Sequence, residues 1–137
     1  MGTKAVAALA VAGLTGLAAG YSLASRAETP KAEIKRTVLQ RIEVPDSNYE
    51  VMLGLAEVPA DTASIGRHRH DGVEAGYVIE GGAVMTVDGQ AAVTMKAGES
   101  YRIAAGAAHD VATGPLPAKV VAVYVVEKGK PLATPAP

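Results

Sequence analysis

The sequence predicts an all-β domain: one antiparallel sandwich or barrel preceded by an N-terminal leader. Three observations carry this. Short valine-rich runs recur at roughly ten-residue spacing, with Gly, Pro, Asp and Asn turn signals between them. No stretch after residue 27 shows the 3.6-residue apolar period of an amphipathic helix. The chain has 137 residues, room for one domain.

The elements follow in order. Residues 1–27 begin with Met1-Gly2-Thr3-Lys4, continue as an uncharged small apolar run from Ala5 to Ala19, and end in Ser22-Leu23-Ala24-Ser25-Arg26-Ala27. A basic start, an apolar middle and small residues before Ala27 make the layout of a secretory signal peptide. An uncleaved anchor is the alternative, since Ala5 to Ala24 is close to the ~20 residues that span a bilayer. Both readings place the domain outside the cytosol, periplasmic or secreted, and only the second gives it a membrane contact. Residues 28–36 are polar, contain Pro30 and read as a linker or arm.

Thr37 to Val44 alternates as a strand, closed by Pro45-Asp46-Ser47-Asn48. Tyr49 to Val58 is a second strand ended by Pro59, and Ala63 to His70 a third, turned by Asp71-Gly72. Glu74 to Glu80 is a fourth, broken by Gly81-Gly82. Val84 to Val87 and Gln90 to Met95 flank Asp88-Gly89, which predicts a two-residue type I′ hairpin. Ser100 to Ala104 and His109 to Thr113 are strands separated by Gly106. Lys119 to Glu127 is an almost unbroken β-branched run, expected to be buried on both faces. Residues 37–128 therefore form the barrel. Residues 129–137 are a Pro/Ala-rich tail, expected to be extended and unpacked.

Composition excludes several classes. Net charge is −1, so no basic field suggests nucleic acid. Cysteine is absent, which removes disulfide scaffolds and thiolate metal sites. Phe and Trp are absent too, so the core must come from Val, Ile, Leu, Met, Ala and Tyr, with Met52, Met85 and Met95 as core fillers.

Chemistry concentrates on the three histidines. His68, His70 and Glu74 stand in the pattern H-x-H-x3-E, and His109 follows the glycine-marked turn at Gly106. Side chains alternate along a strand, so His68 and His70 share one face and Arg67 and Arg69 the other. With the histidines inward, the arginines point to solvent or to a partner copy, which avoids an unpaired interior charge. Glu74 lies one turn further on and can reach the same point. Three neutral imidazoles and a carboxylate suit a divalent transition metal, and on an octahedral ion they leave coordination positions open. Glu74 would serve both as ligand and as catalytic base. Gly76 and Val78 share the parity of Glu74 and are expected to line the cavity. Tyr77 and Tyr101 lie near the motifs and could place a phenol in the pocket; they are read first as core or interface aromatics.

These residues resemble the cupin superfamily. Its first motif, G-x5-H-x-H-x3,4-E-x6-G, is matched by His68, His70, Glu74 and Gly81, with Thr62 in place of the opening glycine. Its second, G-x5-P-x-G-x2-H-x3-N, is matched by Gly98, Gly106 and His109, with Ala104 for the proline and Thr113 for the asparagine. The resemblance covers about residues 37 to 128 and looks like a small single-domain bacterial cupin. It implies a jelly-roll β-barrel, commonly a homodimer, with His68, His70, Glu74 and His109 as metal ligands. The family uses iron, manganese, nickel, zinc or copper. The function expected from these readings is an exported, metal-dependent, dioxygenase-like enzyme acting on a small organic molecule. A non-catalytic ligand-binding or sensory protein, or a metal-dependent isomerase or lyase, is the alternative.

Overall fold

The computed structural model describes residues 33–137. The leader, and residues 28–32 of the expected linker, lie outside this range.

Nine strands form the domain: β1 (Lys35–Glu43), β2 (Tyr49–Val58), β3 (His68–Arg69), β4 (Val73–Val87), β5 (Val93–Lys96), β6 (Ser100–Ile103), β7 (His109–Ala112), β8 (Ala118–Glu127) and β9 (Thr134–Pro135). All pairings are antiparallel. The strand order is β1-β2-β8-β4-β7-β3-β9, with β5 and β6 also paired to β4. The sheet curls into the expected jelly roll.

β4 explains the curl. The sequence suggests two strands broken at Gly81-Gly82, yet the strand runs unbroken for 15 residues. Its first half pairs with β8 and β6, and its second half with β5 and β7. The change of neighbours falls at Gly81, at φ +70°, just after a register shift between Val78 and Glu80. A Cβ on Gly81 would lie 1.7 Å from the Pro117 carbonyl oxygen, so this bend admits no side chain. The bulge also changes which parity faces inward. Glu74, Gly76 and Val78 are buried before it, and Ala83 and Met85 after it.

The same strand alters the expected hairpin. β4 ends at Val87, where a two-residue turn would end it, but Val87 pairs with His109 of β7 and not with Gln90. The β4–β5 ladder closes only at Met85 and Val93, and the connection spans residues 86–92. Gly89 has a positive φ but Asp88 does not, which rules out the type I′ geometry.

Three further expectations change. β1 begins at Lys35, so the end of the proposed linker is strand. The third strand shrinks to His68–Arg69, because residues 61–65 are tied to β7 and its exit by isolated hydrogen bonds: Asp61 N–H to Gly114, Ile65 N–H to Val111, and Thr113 N–H to Thr62. β8 is hydrogen-bonded on both sides but buried on only one face. Ala118, Val120, Ala122, Tyr124 and Val126 point inward, while Val121, Val123 and Val125 form a half-buried outer face.

The tail is docked rather than unpacked. β9 pairs with β3 through Thr134 opposite Arg69 and Pro135 opposite His68, and Leu132 packs on the cluster of Met52, Ala122, Tyr124 and Val126. The main core cluster includes Val58, Val78, Met85, Met95, Ile103 and Val120. Each such side chain contributes about 1.5–3 kcal/mol on full burial. Met52, Met85 and Met95 are all buried, as core fillers should be.

Candidate metal centre

The two-residue strand β3 lies between β7 and β9, and its register places His68 opposite His109. A single ladder position therefore brings the two halves of the sequence motif together. Two anchors hold the approach to β3. Asp110 accepts hydrogen bonds from the Ser64 hydroxyl at 2.5 Å and the Ile65 N–H at 3.1 Å. Past His70, the His70 carbonyl accepts from the Gly106 N–H at 2.8 Å, so the turn that delivers His109 is tied directly to β3. Gly106 makes that turn at φ +73°, a backbone region suited to glycine.

The three imidazoles are all buried, at 8%, 2% and 2% exposure for His68, His70 and His109. Their ring centroids stand 4.3 to 5.1 Å apart, and one nitrogen from each lies within 4.8 Å of the other two. Each Nδ1 faces a backbone carbonyl: His68 to Gly66 at 2.7 Å, His70 to Leu132 at 2.5 Å, and His109 to Ala107 at 3.0 Å. A carbonyl can only accept, so each neutral ring carries its proton on Nδ1. Every Nε2 is then left with a free lone pair. This arrangement, in which second-layer carbonyls set the tautomer, is how metal-ligating histidines are generally held.

Glu74 arrives from β4. Its Oε2 lies 2.9 Å from His70 Nε2 and 3.6 Å from His109 Nε2. With both Nδ1 atoms donating elsewhere, these contacts set acceptor against acceptor. His70 Nε2 and Glu74 Oε2 are accordingly buried with no hydrogen-bond partner. Such a pair requires a proton or a cation between its members, and the donor set of three imidazole nitrogens and a carboxylate oxygen fits a divalent transition metal.

The electrostatics follow from this crowding. Without a metal, a proton taken up by His109 or His70 answers the same crowding: burial pushes the Glu74 carboxyl upward, but these two rings when protonated, and the Tyr101 hydroxyl, outweigh it and hold the group well below the usual carboxylate range. Burial, with help from neighbouring positive charge, lowers His68. His109 is also opposed by burial, yet Glu74, the Ala107 carbonyl and Asp110 raise it overall.

Tyr101 takes the pocket position, the second of the two the sequence allows it. It sits across from Gly76 on β6, donates its hydroxyl to Glu74 Oε1 at 2.7 Å and lines the cavity. Gly76 makes room for it, since a Cβ there would lie 2.3 Å from the Tyr101 ring. Burial, then Glu74, pushes the Tyr101 phenol far upward, so it stays a donor. Tyr77 instead faces outward, half exposed. Arg67 and Arg69 lie off the histidine face: Arg67 pairs with Asp88 and donates to the Pro137 carbonyl, and Arg69 is exposed.

Two of the three motif departures, Thr62 and Thr113, are joined to each other. Thr113 Oγ1 accepts from the Thr62 N–H at 3.0 Å and donates to the Pro59 carbonyl at 2.5 Å, while Thr62 Oγ1 donates to the same carbonyl at 2.8 Å. At the missing proline, the Ala104 carbonyl closes the turn by accepting from the Ala107 N–H at 3.1 Å.

Above the histidines lies a mostly apolar cavity of about 40 Å³, lined among others by Ile34, Arg36, Ile65, Met85, Tyr101 and Tyr124. That is room for roughly three waters. Three contributors escaped the sequence reading. Arg36 falls in the expected linker, although the alternation of Ile34, Arg36 and Val38 is a strand signal. Tyr124 reads as part of an apolar run, yet its ring stands edge-on to His70 at 5.0 Å. The Leu132 carbonyl carries no sequence signal, because any residue supplies one.

A Cupin domain family model matches residues 54–124. Among solved structures, the polyketide cyclase RemF from Streptomyces resistomycificus matches with a TM-score of 0.60 and 25% identity, over 80% of this chain and 75% of that one. The DMSP lyase DddQ from Ruegeria pomeroyi DSS-3 matches with a TM-score of 0.63 and 15% identity, over 76% of this chain and 52% of that one. An uncharacterized conserved protein with a double-stranded β-helix domain from Klebsiella pneumoniae gives 0.61 and 20%, over 77% and 85%. The chain spans about half the length of the DMSP lyase chains it matches, 44% and 52%. No functionally curated protein is significantly similar to it. The family match takes in both histidine motifs, and by it the chain belongs to the cupin domain family.

Proposed function

We propose that this protein is a metal-dependent enzyme acting on a small organic molecule, with His68, His70, His109 and Glu74 as the ligands of a divalent iron, manganese, nickel, zinc or copper ion. The observation that carries the reading is the common orientation of the three imidazoles: every Nδ1 is committed to a carbonyl, and every Nε2 is free. A metal bound there would supply Lewis acidity and, if redox-active, O₂ chemistry. The chain's own residues do the rest. Tyr101 steadies Glu74 through Oε1, leaving Oε2 toward the histidines to ligate or to take a proton. The apolar walls exclude bulk water, and the narrow cavity restricts the substrate to a few heavy atoms.

Dioxygenase-like turnover is the first form of this reading, and a lyase or isomerase reaction without O₂ the second. The second draws support from two structural relatives described as a lyase and a cyclase. O₂ uptake by iron-, manganese- and nickel-loaded protein, measured against a panel of small oxygen-bearing substrates, separates them. Consumption of O₂ with substrate selects the first, and product formation without it the second. Tight ligand binding with no turnover selects the non-catalytic binding or sensory alternative.

Export to the periplasm or beyond belongs to the same proposal and rests on the layout of residues 1–27. N-terminal sequencing of the protein from its native host, with cleavage after Ala27 expected, tests it. Homodimer formation rests on the apolar outer face, where Val121, Val123, Val125, Val73 and Tyr77 face solvent wholly or in part. Light scattering at micromolar concentration tests that.

A further inference from the structure

Among the described residues, Arg36 is the only Lys or Arg lining the cavity above the histidines. Ten Lys and Arg residues lie in the described range, and six of them sit in ion pairs: Lys35, Arg41, Arg67, Lys119, Lys128 and Lys130. Among the described residues Arg36 has no acidic partner and no side-chain hydrogen bond, and neither do Arg69, Lys96 or Arg102. Those three do not line this cavity.

Strand alternation explains where Arg36 points. In β1, Lys35 lies opposite Glu57 and pairs with it on the outer surface. Arg36 lies opposite Ala56, and both line the cavity together with Ile34. Its charge is felt inside: burial is the largest influence on His68, Tyr101 and Tyr124, and Arg36 acts on all three. At the inner end, three neutral imidazoles and one carboxylate around a divalent ion sum to about +1. With a divalent ion bound, both ends of the mostly apolar cavity would be positive, and among the described residues the Arg36 guanidinium has no partner. A guanidinium matches a carboxylate with two parallel N–H···O bonds, a geometry that a neutral amide does not reproduce.

We propose that Arg36 is the anion-recognition residue of this cavity and that the substrate is a small organic acid. Its carboxylate sits on the Arg36 guanidinium at the mouth, and its short body lies along Ile34, Ile65 and Met85 toward the histidines. The inference deepens the metal-dependent reading and rests on it only for the inner end of the cavity.

Propionate and its neutral analogue propionamide are suitable probes, titrated by NMR into zinc-loaded and metal-free full-length protein. Propionate is expected to bind at least about tenfold more tightly than propionamide, the scale of a charge-assisted hydrogen bond. The Arg36→Gln substitution should bring the two ligands to within a few-fold of each other without changing zinc content. Lys35→Gln removes the same charge from the outer face of the same strand and should leave the preference intact. A wild-type protein that fails to bind propionate, or binds both ligands equally, overturns the proposal. So does an Arg36→Gln protein that keeps the preference, since the anion would then be held by the metal. The metal-free arm separates the two readings. A protein that takes up no zinc but shows an Arg36-dependent preference refutes the metal centre and supports the anion site.

Discussion

His70 donates its Nδ1–H to the carbonyl of Leu132 at 2.5 Å, so a residue of the C-terminal tail sets the tautomer of an imidazole 62 positions earlier. The contact is one of several that dock the tail. The Ala136 N–H donates to the Arg67 carbonyl at 3.1 Å, Arg67 Nε donates to the Pro137 carbonyl at 2.6 Å, and β9 pairs with β3 at His68 and Arg69, just before His70.

Removing residues 131–137 should therefore weaken zinc binding by about 10–100-fold, the usual effect of losing a group that orients a ligand. Competition against a chromophoric chelator would measure it. Leu132→Ala keeps the carbonyl while removing the packing on Met52 and Tyr124. It should lower thermal stability but leave metal affinity within a few-fold. Equal affinities for the truncated and intact chains would show that the tail does not orient His70.

Substituting His70 or Glu74 by Ala should abolish stoichiometric metal binding while the fold persists, because each is only one of the groups around the centre. Elemental analysis paired with circular dichroism reads both outcomes. Retention of one metal per chain by a variant with all three histidines replaced would remove the site from consideration.

Metal affinity should fall as pH drops, because ligation needs neutral imidazoles. His109 is raised above its ordinary value of about 6.5. In the metal-free protein its protonated form is therefore favoured, contributing stability that is present below about pH 6.5 and lost as pH rises through the folded value. Proton competition with the metal should begin above about pH 6.5 for the same reason. Glu74, held low, stays ionised throughout that window. Dissociation constants measured from about pH 8 to 4.5 test this, and a flat profile would argue against histidine ligation.

Thr113→Val should destabilise the metal-free protein by about 1–3 kcal/mol, the cost of leaving a buried polar group unmade. Loss of the hydroxyl strips the Thr62 N–H of its acceptor and the Pro59 carbonyl of one of its two donors. Urea denaturation measures the difference. A change below about 0.5 kcal/mol would mean that the pair does not replace the missing glycine and asparagine.

Much of the site was legible because it depends on local rules. Alternation along an extended chain is enough to put His68 and His70 on one face and Arg67 and Arg69 off it. The glycine before His109 marked a turn whatever its partners. The errors arose where a long-range pairing overrode a local signal. Gly81-Gly82 reads as a break, but β8 and β5 hold the strand through it as a bulged bend. Asp88-Gly89 reads as a hairpin tip, but β7 claims Val87 and lengthens the loop. Tyr101 reads as a core aromatic, and only its place opposite Gly76 reveals that it reaches Glu74.

The residue types and spacings by themselves determined the all-β class, the candidate histidines and carboxylate, and the shared face of two of them. Those properties depend on the two-residue period of a strand and on the chemistry of each side chain, and both are local. Only the tertiary structure decided that His68 faces His109 across one ladder position, that Leu132 orients His70, and that Arg36 stands at the mouth. Each of these needs residues at least about thirty positions apart in the chain to meet, and backbone pairing in a curled sheet brings them together.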